Sequence, residues 1–260
     1  MTYRCALITG ASSGIGEAFA RALPRSTSLL LTGRDRTKLA HLASELANGE
    51  RSVRSIAADL ATAEGRQAVI GFAEDQAIDL LINNAGIGQL GRVVDNPPER
   101  ESEMAQLNML APVELTRALL PGLLKRSGEG RHGGVIFVAS AAAFLPVPLF
   151  ATYAASKAFL LHYAEALAGE LSDSPVDILA LCPGATSTRF FERASIARPA
   201  SLLQMHDADR VAREGLQALG RRVVHVVGPS NYLMTAAARL LPRRLVAAAA
   251  ERAMRRFRGQ

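Results

Sequence analysis

Short apolar runs alternate with longer segments of helical periodicity along most of the chain. The runs have the length of buried strands, and they occupy residues 4–10, 28–32, 53–57, 79–83, 135–139, 176–181 and 222–227. Apolar positions recur at helical spacing in the segments between them, which are residues 17–23, 35–46, 62–75, 99–125, 151–171 and 207–219. We therefore expect an α/β fold with one doubly wound parallel sheet of about seven strands and helices on both faces.

Beyond residue 230 the pattern predicts two further helices, 231–241 and 243–257, with Pro242 between them. Residues 231–260 hold seven arginines and one acidic residue, which leaves 23 basic and 23 acidic residues in 1–230. We interpret this C-terminal extension as a cap over a cleft or a packing helix, with contact to an anionic membrane surface as the alternative. Because the body of the chain is neutral, a nucleic-acid-binding domain is not expected.

Length and cysteine usage narrow the class of protein further. At 260 residues the chain fits one large α/β domain. Cys5 and Cys182 are far apart in sequence and belong to no ligand cluster, so we expect reduced thiols, no metal site and a cytoplasmic location. The sequence from Cys5 runs directly into a strand, with no leader pattern before it and no apolar run long enough to span a membrane.

A glycine-rich turn follows the first predicted strand at once. Its sequence is Gly10-Ala-Ser-Ser-Gly14-Ile-Gly16, and an apolar helix comes next. In this context backbone N–H groups and the helix N-terminus bind a pyrophosphate. Gly10 permits the tight turn, Gly14 lets the backbone approach the phosphates, and Gly16 lets the helix pack on the strand. A purely structural turn is the alternative, but the flanking strand and helix favour a nucleotide.

The end of the second strand bears on which nucleotide is bound. An enzyme that uses NAD places a carboxylate about 20 residues beyond the glycines, where it binds the ribose 2′-OH. This chain has Gly33 there, followed by Arg34. A guanidinium forms paired hydrogen bonds with a 2′-phosphate, whereas a carboxylate would repel it. We therefore predict NADP(H) as the cofactor, with NAD(H) less favoured.

Polar residues also follow the third and fourth strands. Asp59-Leu60 lies just past the third strand, where the carboxylate either accepts a hydrogen bond from an adenine amino group or caps the helix 62–75; the two interpretations are compatible. Asn83-Asn84-Ala85-Gly86 ends the fourth strand. Asparagines followed by glycine suit a close backbone approach to a ligand or to the neighbouring strand.

Tyr153 and Lys157 are the candidate catalytic pair. They lie four positions apart, so they share one face of the predicted helix 151–171. An ammonium beside a phenol lowers the pKa of the tyrosine from about 10 towards working pH. Tyr153 would then donate a proton to a carbonyl oxygen or accept one from an alcohol. A surface Tyr and Lys on an amphipathic helix is the alternative.

Two more polar residues are candidates for the same site. Ser140 lies at the carboxyl end of the strand 135–139, the edge at which parallel sheets bind ligands. A serine in an ordinary strand-to-loop turn is its alternative. Asn108 lies within the predicted helix 99–125 and needs polar partners if it faces inward.

Two apolar loops are candidates for a substrate lid. The segment 185–205 has no period of its own and contains Phe190 and Phe191, and the loop 144–150 begins and ends with Phe144 and Phe150. Long loops without their own period are usually lids or binding loops. Their apolar content predicts a lipophilic substrate, with a poorly ordered packing loop as the alternative.

With these motifs in order, the chain resembles the short-chain dehydrogenases/reductases over about residues 4–228. The segments that carry the resemblance are Thr9-Gly10-Ala-Ser-Ser-Gly14-Ile-Gly16, Asp59-Leu60, Asn83-Asn84-Ala85-Gly86, Asn108, Ser140, Tyr153-Ala-Ala-Ser-Lys157 and Pro183-Gly184 with Thr188. The resemblance implies a Rossmann-like fold and a catalytic tetrad. In that tetrad Tyr153 is the general acid, Lys157 lowers its pKa and binds the nicotinamide ribose, and Ser140 orients the carbonyl. Asn108 bends its helix and holds a water in a proton relay behind Lys157.

The resemblance also implies a set of cofactor contacts. They are Gly10, Ser12, Ser13, Gly14, Ile15, Gly16, Arg34, Asp59, Leu60, Asn84, Ala85, Gly86, Tyr153, Lys157, Pro183, Gly184, Thr186 and Thr188. Thr186 and Thr188 fall where the family binds the nicotinamide carboxamide. Ser13 stands where some NADP-preferring members place a second basic residue, so the NADP(H) prediction depends on Arg34 alone. Family likeness further implies a homodimer or homotetramer built through the helices 99–125 and 151–171.

Together these features predict an NADPH-dependent oxidoreductase that reversibly reduces a lipophilic ketone, aldehyde or 3-oxoacyl-type substrate. Its dinucleotide-binding and catalytic domain would span 1–230, with the basic extension at 231–260. The alternative is a non-catalytic protein that senses NADP(H) and binds a partner or membrane through the extension. Ser140, Tyr153 and Lys157 disfavour this alternative, because nucleotide sensing alone does not require them.

Overall fold

The computed structural model of the protein describes residues 3–128, 132–194, 196 and 205–256. In these ranges seven parallel strands form a single sheet of order β3-β2-β1-β4-β5-β6-β7. The strands are β1 (Cys5–Thr9), β2 (Ser28–Gly33), β3 (Val53–Ala57), β4 (Leu80–Asn83), β5 (Gly133–Val138), β6 (Val176–Cys182) and β7 (Val224–Val226). The strand order reverses direction between β1 and β4, which confirms the doubly wound sheet and places a ligand-binding crevice beside that pair.

Helices cover both faces of this sheet. They are α1 (Gly14–Ala22), α2 (Arg36–Leu46), α3 (Ala63–Glu74), α4 (Pro98–Ala105), α5 (Ala111–Gly128), α6 (Ala151–Glu170), α7 (Phe190–Arg193), α8 (Ala208–Ala218), α9 (Pro229–Leu240) and α10 (Arg243–Arg255). Successive strand residues point to opposite faces, so Leu7 packs into the core beneath α3, α5 and α6, whereas Ile8 packs against Phe19 and the other residues of the core beneath α1 and α8. Continuous apolar strands are expected where both faces are covered.

The predicted helix 99–125 is not one α-helix. Residues Gln106–Leu110 form a π-helical turn between α4 and α5, and Asn108 lies in the middle of it. Such turns are rare and occur frequently at functional sites. The apolar period continues through the turn, so the period alone did not reveal the change.

The lid segment and the C-terminal extension also differ in detail from the prediction. The segment 185–205 contains a short helix, α7, and the residues at 195 and 197–204 lie outside the described part of the chain. Leu202 and Leu203, two further apolar residues of this segment, lie outside the described residues. The two C-terminal helices form as expected, since Pro229 is compatible with the first turn of α9 and Pro242 separates α9 from α10.

Candidate active site

A cavity of about 1510 Å³ opens at the carboxyl end of the sheet. It is lined by residues that follow six of the strands, among them Gly10, Arg34, Asp59, Asn84, Ser140 and Pro183. This volume exceeds the roughly 300–1,000 Å³ of a pocket for one drug-sized ligand. The cavity therefore has room for a dinucleotide together with a second molecule.

The glycine turn forms one end of the cavity. Gly10 and Gly14 have φ angles of 66° and 61°, a region that L side chains rarely adopt. Gly16 lies outside the cavity lining, and a Cβ there would collide with the Gly10 carbonyl oxygen and with Nδ2 of Asn84. The structure thus supports the predicted turn and packing roles of Gly10 and Gly16. Ser12, Ser13 and Ile15 line the cavity beside them.

Thr9, which we did not predict as a site residue, joins the glycine turn to β4. Its Oγ1 accepts hydrogen bonds from the backbone N–H groups of Asn84 and Ala85, both at 2.9 Å. In return, Nδ2 of Asn84 donates to the Thr9 carbonyl at 2.8 Å. These hydrogen bonds hold the ends of β1 and β4 together beside the cavity. The position of a threonine directly before Gly10 could have indicated this role in the sequence.

Arg34 lines the cavity near Asp59 and Leu60. Its Nη1 lies 2.9 Å from Oε1 of Glu103, on α4, and 3.9 Å from Oδ2 of Asp59. The predicted guanidinium is therefore present at the end of β2, but its partner from α4 was not foreseen. Arg100 also lines this part of the cavity.

Asp59 does not cap α3, which corrects one of its two interpretations. The cap is Thr62, whose side chain accepts from the Gly65 N–H at 3.0 Å. Asp59 instead accepts from the N–H of Ala61 at 3.0 Å and holds the turn that precedes the helix. Threonine and aspartate are both common N-cap residues. Thr62 is the cap here because α3 begins at Ala63, the residue directly after it.

Tyr153 and Ser140 meet at the other end of the cavity. Both residues line the cavity, and the Ser140 side chain lies close enough to the Tyr153 phenol to affect its pKa. Oγ of Ser140 accepts from the N–H of Ala142 at 3.1 Å. Phe150 stacks on the Tyr153 ring at a centroid distance of 4.3 Å, and Phe190 lies 5.3 Å from it. The two hydroxyl groups therefore lie close together at one end of the cavity.

The expected lowering of the Tyr153 pKa is wrong for this structure. Burial raises the pKa of Tyr153 to about 12, and the hydrogen bond with Ser140 only partly opposes it. Lys157 lies 5.7 Å from the centre of the tyrosine ring, and its Nζ donates to the Val138 carbonyl at 2.8 Å. Burial also lowers the pKa of Lys157 to about 8. Desolvation, which disfavours the charged form of each group, is thus the largest influence on both pKa values.

Asn108 is buried next to the Tyr153–Lys157 helix, and its side chain is hydrogen-bonded to the loop that follows β4. Its Oδ1 accepts from the Ile87 N–H at 3.0 Å, and its Nδ2 donates to the Ile87 carbonyl at 2.9 Å and to Oγ of Ser156 at 3.0 Å. A Cβ on Gly86 would lie 3.2 Å from both Oδ1 of Asn108 and Nζ of Lys157. Ser156 was missed, although its place in the Tyr153–Lys157 segment was the signal.

The loop after β6 lies beside Ser140. The N–H of Ala141 donates to the Pro183 carbonyl at 2.8 Å, and Oγ1 of Thr186 donates to the Gly184 carbonyl at 3.1 Å. Thr188 accepts from the N–H of Phe190 at 3.2 Å and so begins the short helix α7. Pro183, Gly184, Thr186 and Thr188 all line the cavity.

Three of the four predicted lid phenylalanines line the cavity, namely Phe150, Phe190 and Phe191. Phe144 does not lie among the described lining residues, which corrects its assignment to the substrate lid. It packs instead under the guanidinium of Arg239, on α9, at 4.8 Å from the ring centre. Phe144 therefore attaches the C-terminal extension to the loop after β5.

The C-terminal extension supplies a further wall of the cavity. The lining residues from α9, α10 and the residues next to them are Asn231, Met234, Ala237, Ala238, Leu241, Leu245, Val246, Ala249, Ala250, Ala253, Met254 and Arg256. Nearly all of them are apolar. In the described ranges no helix is long and apolar enough to cross a membrane, and no group of three His, Cys, Asp or Glu side chains forms a candidate metal site.

Comparison with known proteins gives consistent matches. A sequence model of the short chain dehydrogenase family matches residues 4–198. A short chain dehydrogenase of Pseudocercospora fijiensis is 34% identical over 191 residues, which cover 71% of this chain and 60% of that protein.

Solved structures are similar over a larger share of the chain. A short-chain dehydrogenase from Sphingobium yanoikuyae in complex with NADPH is 31% identical, with a TM-score of 0.78 over 91% of this chain and 94% of that one. A 3-ketoacyl-(acyl-carrier-protein) reductase from Brucella melitensis complexed with NADH is 25% identical, with a TM-score of 0.76 over 86% and 96% of the two chains.

Proposed function

Since the chain belongs to the short-chain dehydrogenase family of oxidoreductases, we propose that it is an NADPH-dependent carbonyl reductase. It reversibly reduces a lipophilic ketone, aldehyde or 3-oxoacyl-type substrate to the alcohol. The observation that carries this proposal is that Tyr153 and Ser140 lie beside each other in the lining of a large cavity. Two hydroxyl groups directed at one position suit a carbonyl oxygen that gains negative charge during reduction.

The cavity fits a dinucleotide at its glycine end. Gly10 and Gly14 hold backbone conformations that favour glycine, and the cavity passes between this turn and the wall at Gly86. The N-terminus of α1 would hold the pyrophosphate, and Arg34 would bind the 2′-phosphate. When bound, the cofactor supplies the hydride. Both NADPH and NADH occur in the similar structures, so the choice of NADPH depends on Arg34 and its neighbours.

The residues at the Tyr153 end of the cavity would donate the proton and stabilise the developing alkoxide. Tyr153, whose pKa is raised by burial, keeps its proton at neutral pH and donates it to the carbonyl oxygen as that oxygen becomes an alkoxide. Ser140 donates a second hydrogen bond to the same oxygen. A donor placed in this way contributes about 2.7–4 kcal/mol to the stabilisation of the transition state. Lys157 holds a positive charge one helical turn away.

The wall around Tyr153 supports a lipophilic substrate. Phe150, Phe190 and Phe191 lie on one side of it, and the apolar face of α10 lies on another. These surfaces offer few hydrogen-bond partners, so they bind a substrate through buried apolar area. A 3-oxoacyl or bulky ketone substrate places such area next to its carbonyl group.

The test of this function is the loss of NADPH absorbance with a panel of ketones, aldehydes and 3-oxoacyl thioesters. We expect turnover with apolar members of the panel and weaker activity when NADH replaces NADPH. Binding of NADPH without turnover of any member, under conditions in which a known reductase is active, would instead favour the nucleotide-sensing alternative.

We also propose that the protein forms a homodimer through α5 and α6. The C-terminal extension would obstruct assembly into a tetramer. Leu110 and Phe159 are large apolar residues at this surface that stay 37% and 40% exposed, and Phe159 stacks on Tyr163. Exposed aromatic residues of this kind are enriched at interfaces. Sedimentation of the wild type and of Phe159→Lys measures the assembly, and a monomeric wild type would contradict it.

A further inference from the structure

Glu103 forms ion pairs with two arginines near the carboxyl end of β2. Its Oε1 lies 2.9 Å from Nη1 of Arg34, and its Oε2 lies 2.6 Å from Nη1 of Arg100. Arg34 comes from the end of β2 and Arg100 from α4, so the two guanidiniums approach one carboxylate from different elements. Both arginines line the cavity, whereas Glu103 lies outside its described lining.

This arrangement has the geometry of an anion site. Two guanidiniums that reach the two oxygens of one carboxylate also match two oxygens of a phosphate, because both anions accept parallel N–H donors at similar spacing. Each guanidinium presents five N–H donors in a rigid fork, a geometry that suits the oxygens of a phosphate as well as those of a carboxylate. Asp59 is the other carboxylate of the cluster, at 3.9 Å from Arg34.

We propose that Arg100 is the second guanidinium of the 2′-phosphate site and that Glu103 is the internal anion whose place the phosphate takes. The inference rests on the proposed use of NADPH and extends it to two residues on α4. The Arg34–Glu103 and Arg100–Glu103 contacts hold both guanidiniums near the phosphate position before it arrives. The cost of this arrangement is competition, because the carboxylate repels the incoming phosphate.

The test uses two cofactor fragments that differ only in the 2′-phosphate. Isothermal titration calorimetry measures the affinity of the full chain for 2′,5′-ADP and for 5′-AMP. We expect Arg100→Gln to weaken 2′,5′-ADP binding about tenfold, and Glu103→Gln to strengthen it several-fold, since the amide keeps the shape and removes the charge. Neither variant should change 5′-AMP binding more than about twofold.

Matched controls remove the same charges elsewhere. Glu99→Gln changes a carboxylate on α4, and Arg117→Gln changes an exposed arginine on α5; neither residue lines the cavity within the described ranges. The inference is overturned if Arg100→Gln behaves like Arg117→Gln, or if Glu103→Gln weakens 2′,5′-ADP binding. A wild type that binds both fragments equally would contradict the NADPH preference itself, whereas a preference that Arg100→Gln leaves intact would contradict only the role of Arg100.

Discussion

At the scale of single residues, the environment of Tyr153 decides its chemistry more than its neighbour in sequence does. The pair Tyr153 and Lys157 lies on one helix face as predicted, yet both side chains are buried, and burial disfavours the charged form of each. The phenol therefore retains its proton, which suits a general acid. The lower pKa that we expected would have suited proton donation in reduction and proton acceptance in alcohol oxidation equally.

Replacement of Tyr153 by phenylalanine tests the general acid directly. We expect Tyr153→Phe to lower turnover at least about a hundredfold, because it removes the proton donor, while the fold and NADPH binding persist. NADPH oxidation, cofactor fluorescence and circular dichroism measure these three properties. Tyr163→Phe, on the same helix and outside the described cavity lining, is the control and should retain activity. Turnover of Tyr153→Phe above about a hundredth of wild type would contradict the role of Tyr153.

The pKa values of Tyr153 and Lys157 predict opposite pH profiles for carbonyl reduction and for alcohol oxidation. Tyr153, with a pKa of about 12, is protonated below that pH, so reduction should be nearly constant from about pH 6 to 8 and should fall as Lys157 loses its proton above about 8. Alcohol oxidation needs the phenolate, whose fraction rises about tenfold per pH unit below the pKa. Measurement of kcat/KM in both directions from pH 6 to 9.5 checks this. A reduction rate that increases with pH throughout that range would be inconsistent with it.

At the scale of elements, the turn between β1 and α1 depends on three glycines, because a side chain at any of these positions would disturb it. Gly10 and Gly14 supply backbone conformations, whereas Gly16 supplies space for α1 to pack against the end of β1. The helix start that would hold phosphate is thus placed by close backbone contact. Thr9 and Asn84 then attach the same turn to β4.

Gly16→Ala should therefore destabilise the fold. A Cβ at this position meets the Gly10 carbonyl oxygen and Asn84, so we expect a loss of about 1–3 kcal/mol in the free energy of unfolding. Gly71→Ala, in α3, is the matched control: no atom lies within 4 Å of the added Cβ, and alanine should stabilise the helix by about 0.5–1 kcal/mol. Urea denaturation measures both, and equal effects of the two substitutions would contradict the packing role.

At the scale of the whole molecule, the C-terminal extension completes the cavity. In α10, Val246 is 8% exposed, and the lining side chains near it are small or apolar. Arginines such as Arg243 and Arg244 are exposed and lie outside the described lining. The helix therefore presents an apolar face to the cavity, with these arginines directed to solvent, which supports a cap over the substrate.

Deletion of residues 242–260 should raise the KM for apolar substrates roughly tenfold, because one apolar wall is lost. Affinity for 2′,5′-ADP should stay within about twofold, since the glycine turn and Arg34, which would bind that fragment, do not belong to the deleted segment. The double substitution of Arg243 and Arg244 by glutamine keeps the wall and removes charge, so it should leave the KM unchanged. If this charge variant instead reduced sedimentation with anionic vesicles at low salt, membrane contact would be the better interpretation.

The sequence by itself determined the elements and the order of the site residues. Strands of a covered parallel sheet are continuous apolar runs, and the polar residues that end them, such as Ser140 and Asn84, meet at one edge whatever the loops do. The fold and the glycine turn were therefore predictable, because each depends on local pattern or on the geometry common to such sheets. The position of Tyr153 beside Ser140 was implied by the family resemblance, since Tyr153 lies on a helix and not at the end of a strand.

Only the tertiary structure decided the features that depend on contacts between distant segments. The pKa of Tyr153 is set by burial under Phe150 and Phe190. Arg34 follows β2, and its partner Glu103 lies 69 positions away on α4, where Arg100 pairs with the same carboxylate. Non-local packing of this kind leaves no periodic signal in the chain, because each segment satisfies its own pattern whether or not the others are beside it.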